Sequence, residues 1–285
     1  MKRSKTPILK KKAQIFISTN LTRLLLIIIC VLVLFPIIWM ASASISKGSS
    51  LFSSSIFPEK ITFANYINLF HKTKFLKWLR NSGIVTLMGS LLAMSETTTM
   101  AYAFSRFKFK GKKNGLMILI LLQMLPSTVT IVALYKLAVF VNVQNTFLGL
   151  ILIYAGTTIP FNAWLMRGYF DSIPYEIEES AYLDGANHWQ AFIKIAFPLC
   201  LPMIVVVFLF NLISFYNDYY LASIILSGNE MYTVALGMRF FTQPYAENWS
   251  MFAAASVLSC LPIVIIFYSL QKYLVQGLTK GAIKG

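Results

Sequence analysis

Long apolar stretches separated by short polar ones run through the whole chain, and most are too long for the interior strands or helices of a water-soluble domain. Six of them predict helices that cross a membrane: Leu21–Ser44, Asn81–Phe104, Gly115–Leu137, Asn145–Met166, Leu199–Leu221 and Trp249–Leu270. Crossing about 30 Å of hydrocarbon takes roughly 20 helical residues, which each stretch supplies. The cleanest, LLLIIICVLVLFPIIWM from Leu24 to Met40, carries no charge and follows a basic leader containing Lys2, Arg3, Lys5, Lys10, Lys11 and Lys12. It is too long for the core of a cleaved signal peptide and no small-residue cleavage site follows it, so it reads as a retained helix. Pro36, Pro126, Pro160, Pro202 and Pro262 are expected to bend their helices.

The polar exception lies between the fourth and fifth stretches. Five of the ten acidic residues, Asp171, Glu176, Glu178, Glu179 and Asp184, fall in the loop 169–198. Two short helices are expected there. The first starts at the caps Asp171 and Ser172, with Pro174 in its first turn and early glutamates complementing the helix dipole. Gly185 ends it in the left-handed conformation. Asn187 caps the second, with Gln190 as capping-box partner, and this helix stops before Pro198. Ala181, Tyr182, Ala186 and Trp189 form a knob for a groove on another protein, with the small Ser180, Ala181 and Ala186 allowing close approach. From pattern alone, an amphipathic hairpin resting on lipid fits equally. Nothing beside these acids offers a nucleophile or a metal ligand, which argues against catalysis.

Composition supports a polytopic membrane protein: 57% hydrophobic, 12% charged, mean hydropathy +0.68. In a chain this apolar, the net charge of +15 fits anionic lipid headgroups better than nucleic acid. Cys30, Cys200 and Cys260 all fall in apolar segments and read as packing residues. With the amino terminus inside, 17 Lys and Arg lie in internal segments and 8 in external ones, matching the positive-inside bias. The internal set includes the cluster Arg106, Lys108, Lys110, Lys112 and Lys113. The exception is ITFANYINLFHKTKFLKWLRNS (61–82), expected as an amphipathic helix with Trp78 at the outer headgroups. Both termini and the acidic loop are then cytoplasmic. The fold class is an all-α membrane protein of six transmembrane helices: a basic segment over 1–20, a membrane domain over 21–274, and a tail over 275–285.

The loop pattern Glu179-Ser180-Ala181, then Asp184-Gly185-Ala186, then Ile195 and Pro198 resembles the cytoplasmic "EAA" loop of ABC importer permeases. Ser180 and Phe197 depart mildly from the family's Ala and Leu. AYAFSRFKFKGKK (101–113), TIPFNAWLMRGYFDSIPYEIEE (158–179), SFYNDYYLASIIL (214–226) and the tail QKYLVQGLTKGAIKG (271–285) are similar to the carbohydrate branch, in particular the second permease subunit of maltose-type importers.

That resemblance implies a permease subunit that imports a carbohydrate, an oligosaccharide such as a maltodextrin, across the bacterial cytoplasmic membrane. It implies a second homologous permease as heterodimer partner, two ATPase subunits and an extracellular or lipid-anchored solute-binding protein. The loop, through Glu179, Ser180, Ala181, Asp184, Gly185, Ala186 and Trp189, and the tail, through Gly277, Lys280, Gly281 and Lys284, would contact the ATPases. A solvated, disordered end is the alternative for the tail. No GxxxxGK[ST] phosphate loop occurs, so ATP and Mg are expected on the ATPases and no enzyme activity or bound cofactor here. Within the membrane, Glu96 and a stripe of Asn211, Tyr216, Asn217, Asp218, Tyr219 and Tyr220 stand out. The stripe could line a saccharide path or join helices; for Glu96 the joining role is favoured. The rivals are an ion-coupled secondary transporter, against which no pair of broken helices is apparent, and a non-transporting scaffold.

Overall fold

The computed structural model describes residues 6–47, 58, 60–242 and 248–282. Among the described residues twelve α-helices follow one another: α1 Thr6–Ser44, α2 Ala64–Lys72, α3 Phe75–Arg106, α4 Lys112–Leu122, α5 Ser127–Phe140, α6 Phe147–Asp171, α7 Glu176–Leu183, α8 His188–Ala191, α9 Phe197–Asn217, α10 Tyr220–Ile225, α11 Val234–Gly237 and α12 Trp249–Ala282. Among the described residues the only β pairing is an isolated antiparallel bridge between Ser46 and Ile61. The chain divides into two compact units, one of Met1–Leu69 with Phe241–Val257 and one of Phe70–Phe240 with Leu258–Gly285.

Among the described residues four helical stretches are long and apolar enough to cross a membrane: Thr19–Ser44, Phe147–Asp171, His188–Asn217 and Trp249–Tyr273. In the first unit, Leu24–Ile29 and Val31–Phe35 of α1 are each about half exposed or more. A helix apolar on every side and uncovered is at rest in lipid, not water. Asn65 ties the chain after α1 to its end, donating to the carbonyls of Ser44 and Ser46, both at 2.9 Å.

In the second unit α3 packs along α6 and α9. This explains why α3 is not among the four strongly apolar stretches. Ser82, Thr86, Ser90, Thr97 and Thr98 point into the bundle and are buried, where small polar residues permit close helix approach. Hydropathy detects helices that face lipid; a central helix can be more polar. Tyr154 of α6 stacks on Phe215 of α9, with centroids 4.6 Å apart and planes 9° apart.

Three sequence expectations change. The stretch Gly115–Leu137 is not one helix: α4 ends before Gln123 and α5 begins at Ser127, because Pro126 takes an extended ψ of 131° and has no N–H to give. The segment 61–82 is not one interfacial helix either, since Thr73 and Lys74 separate α2 from α3. Trp78 is 1% exposed. Its indole N–H donates to Asn229, 2.9 Å from Oδ1, and its ring covers Gly237 so closely that a Cβ there would lie 2.3 Å from it. Asn81 Nδ2 donates to the carbonyls of Glu230 and Tyr232 at 2.9 Å each, Ser82 Oγ accepts from Val234 N at 2.7 Å, and Lys74 and Lys77 both pair with Glu230. The amphipathic pattern came from packing against 229–237 instead of against headgroups. Of the cysteines, Cys200 is a buried packing residue, whereas Cys30 and Cys260 are exposed on apolar helices.

Candidate functional site

The acidic loop folds as an elbow whose every turn has a local cause. The helix α6 continues through Asp171 and ends at Ser172. The expected caps therefore finish one helix instead of starting the next, because Arg167 Nε and Asp171 Oδ2, one turn apart and 3.3 Å from each other, carry the helix onward. Pro174 keeps Ile173 from continuing it. α7 then starts at Glu176 without a side-chain cap, its three glutamates in the first turn. Gly185 takes φ +87°; its N–H donates to Tyr182 O at 3.1 Å and that of Ala186 to Ala181 O at 2.9 Å. This pair of bonds is a Schellman ending, which only a residue comfortable at positive φ supports. Asn187 and Gln190 form the expected reciprocal cap, both bonds 2.9 Å.

The second helix does not stop before Pro198. α8 passes through a π-helical turn, Phe192–Ala196, directly into α9. The Phe197 N–H donates five residues back to Phe192 O, a wider turn of the kind that lets a helix run on where a proline removes an N–H from the ladder. The elbow is thus joined to a membrane helix without a hinge.

Its other anchor was not foreseen. Glu178 is fully buried, and Arg106, at the end of α3, is 8% exposed; Arg106 Nε donates to Glu178 Oε1 at 2.6 Å. Tyr102 donates to Oε2 at 2.7 Å, and Arg106 also donates to the carbonyl of Ile173 at 3.0 Å. Ser105 Oγ donates to Asp171 Oδ1 at 2.6 Å. Tyr102 packs against Phe192, Phe170 and Phe107, with centroids 4.7, 5.6 and 5.9 Å away. The sequence alone assigns Glu178 to the helix dipole and Arg106 to the inner basic cluster; the structure pairs them. The available clue was the spacing of Glu178 three residues before Ala181, which puts both on the buried side of α7.

The elbow presents a mixed outer surface. Glu179, Ser180, Asp184 and Gly185 are exposed, Tyr182 and Ala186 are half-buried, and Ala181 is turned inward at 9% exposure. Leu183, 89% exposed, and Trp189, 64%, are its projecting apolar side chains. Burial raises the Tyr182 phenol above its ordinary value, keeping it neutral. Trp189 borders an apolar cleft of about 300 Å³ with Thr99, Phe107 and His188.

The polar stripe does not form one surface. Asn211 is buried and accepts from Asn162 of α6 at 2.8 Å, leaving its own Nδ2 without a partner. Tyr216 donates to Ser259 O at 2.8 Å. Asn217 is exposed and bonds Ile213 of its own helix. Asp218 lies past the end of α9, accepting from Tyr154 at 2.8 Å and from Ala222 N at 3.1 Å. Tyr219 is half-buried within 3.5 Å of Arg239, and Glu96 has one buried carboxylate oxygen without a partner. Gly277, Lys280 and Gly281 continue as helix within α12, and Lys284 lies outside the described residues.

Half of the acidic residues of this helical, strongly apolar chain thus lie in one elbow, which is paired to the end of α3 and continuous with α9. The chain belongs to the family of binding-protein-dependent transport system inner membrane components, whose model matches residues 97–280, from mid-α3 through the elbow into α12. It is similar to the galactooligosaccharides transport system permease protein GanQ of Bacillus subtilis (strain 168), 39% identical over 96% of this chain and 98% of that one. It is 35% identical to the maltodextrin transport system permease protein MdxG of the same organism, over 93% and 95% of the two chains. Among solved structures it resembles a chain of a bacterial ABC transporter involved in the import of the acidic polysaccharide alginate, with TM-score 0.77, 25% identity and coverage of 96% and 99%. The resemblance to carbohydrate-branch ABC importer permeases is borne out.

Proposed function

We propose that this chain is the transmembrane subunit of an ATP-driven importer that carries a carbohydrate, an oligosaccharide of the malto- or galacto- type, across the bacterial cytoplasmic membrane. The observation that carries this reading is the elbow: a family-matched polar lever fixed to α3 by a buried ion pair and fused to α9 through a π turn. The relatives' substrates support the sugar class.

In this reading six spans cross the bilayer: the four apolar stretches, the central α3, and α4 with α5 together. Neither α4 at 11 residues nor α5 at 14 crosses alone, since about 20 are needed. The charge bias puts both termini and the elbow in the cytoplasm. The partners are a second homologous permease, two ATPase subunits that hold ATP and Mg, and an external or lipid-anchored solute-binding protein. When ATP closes the ATPase pair, the groove holding Leu183 and Trp189 moves. The Arg106–Glu178 pair and the continuous α8–α9 helix then turn that shift into rotation of two packed helices. By reciprocity, a delivered sugar that favours one helix arrangement biases the nucleotide state.

The test is uptake of labelled malto- and galacto-oligosaccharides by cells lacking this chain, with and without its restoration. Uptake should return with the wild type, survive collapse of the proton gradient while ATP is kept, and stay absent with Asp184→Lys. Uptake that follows the proton gradient would favour the ion-coupled rival. Full uptake with Asp184→Lys would remove the lever.

A further inference from the structure

At the end of α6 and the start of α4 lies a basic recess of about 570 Å³, lined by Lys108, Phe109, Gly111, Lys112, Asn114 and Arg167. Arg106 beside it is neutralised by Glu178. The lining cations are not matched in the same way. Among the described residues Lys108 has no carboxylate partner, Lys112 donates only to the neutral carbonyl of Ser105, at 3.0 Å, and Arg167 is the one lining cation that Asp171 lies against. Asp171 is itself held by Ser105, and Arg167 Nε, although 3.3 Å from Asp171 Oδ2, is shielded from solvent without an aligned acceptor. Three cations against one engaged carboxylate leave a net positive recess.

Immediately beyond Asn114 the helix becomes GLMILILL, and Met117, Ile118 and Leu121 are each more than half exposed. Phe109, 44% exposed, stands at the junction. A polar cationic recess thus opens onto a bare apolar helix face, the two-part surface that an anionic headgroup and its acyl chains require together. Free inorganic phosphate could use the recess but would leave the apolar face unmatched.

We infer that this recess is a binding site for an anionic phospholipid, its phosphate held by Lys108, Lys112, Asn114 and Arg167 and its chains laid along Met117, Ile118 and Leu121. The lipid clamps the start of α4 to the end of α6, beside the Ser105–Asp171 bond that braces the elbow. The site lies in the inner leaflet if the proposed orientation holds.

Native mass spectrometry of the intact importer in detergent, titrated with phosphatidylglycerol, phosphatidylcholine and inorganic phosphate in separate arms, tests it. Each basic residue near an anionic lipid accounts for about a fivefold change in affinity. The Lys108→Gln/Lys112→Gln variant should therefore weaken phosphatidylglycerol binding by roughly 25-fold, with phosphatidylcholine unaffected and Lys136→Gln silent. Glutamine at 112 keeps a donor for the Ser105 carbonyl, so thermal melting without added lipid should match the wild type. Equal affinity for phosphatidylglycerol in variant and wild type overturns the site, and so does tight phosphate binding with no gain from acyl chains. Dissociation of the ATPase chains with unchanged lipid binding would assign the recess to a protein partner instead. Because binding is read in detergent, its outcome is independent of orientation and of sugar uptake, so failure of the transport reading remains distinguishable.

Discussion

Removing Arg106 should release the elbow from α3 without touching its outer surface. In Arg106→Met the carboxylate of Glu178, fully buried, keeps only the Tyr102 hydroxyl as partner. Losing one member of a buried pair costs about 3–5 kcal/mol, because the other charge stays desolvated and uncompensated. Neither group is more than 8% exposed, so solvent screening gives little relief. The loss should be felt mainly as local opening of α7 and α8. At about 1.4 kcal/mol per tenfold, amide exchange over 176–191 should quicken by roughly two to four orders of magnitude, up to the limit set by wild-type protection. Hydrogen exchange with mass spectrometry on the assembled importer reads this directly. Glu178→Met should do the same, and the double Met variant should recover much of the protection, since two apolar groups leave no orphaned charge. Unchanged exchange in Arg106→Met, or single effects that simply add in the double variant, would refute the reasoning. ATP hydrolysis stimulated by the binding protein should persist while sugar uptake falls, the mark of a slack lever.

Gly185→Ala should lower transport and destabilise the elbow by about 1–2 kcal/mol, from backbone strain alone, since no atom lies within 4 Å of the added Cβ. Gly185→Asn should cost less, and thermal melting with uptake assays separates the two. Asn187→Ala removes one side of the reciprocal cap and should speed exchange at the start of α8, for a loss of about 1 kcal/mol. Gly237→Ala drives a Cβ into the Trp78 ring and should cost about 1–3 kcal/mol in melting, more if the Asn229 bonds break with it; an unchanged melting curve would disprove that contact.

Much of the elbow was legible because its determinants are local. Gly185 at positive φ and the Asn187–Gln190 cap follow from residues a few positions apart. What escaped depends on distant partners. Arg106 looked like one more inner-leaflet cation until Glu178, 72 residues on, was placed against it. Trp78 looked interfacial because indoles commonly are, yet its partner Asn229 stands 151 residues away. Pro198 signalled a helix end, and the π turn let the helix continue. Asn81–Phe104 was legible as a long helix, but that Ser90 and Thr97 lie buried in its packing against α6 and α9 depends on residues far along the chain.

The central claim is that the elbow faces the cytoplasm and is gripped there by the ATPase subunits. Leu183→Cys, at the elbow's most exposed apolar position, can be probed with a membrane-impermeant maleimide. The account predicts no labelling in intact cells, labelling in inside-out vesicles stripped of the ATPase, and protection when the ATPase is restored. Labelling from outside intact cells, or reactivity indifferent to the ATPase, would contradict it.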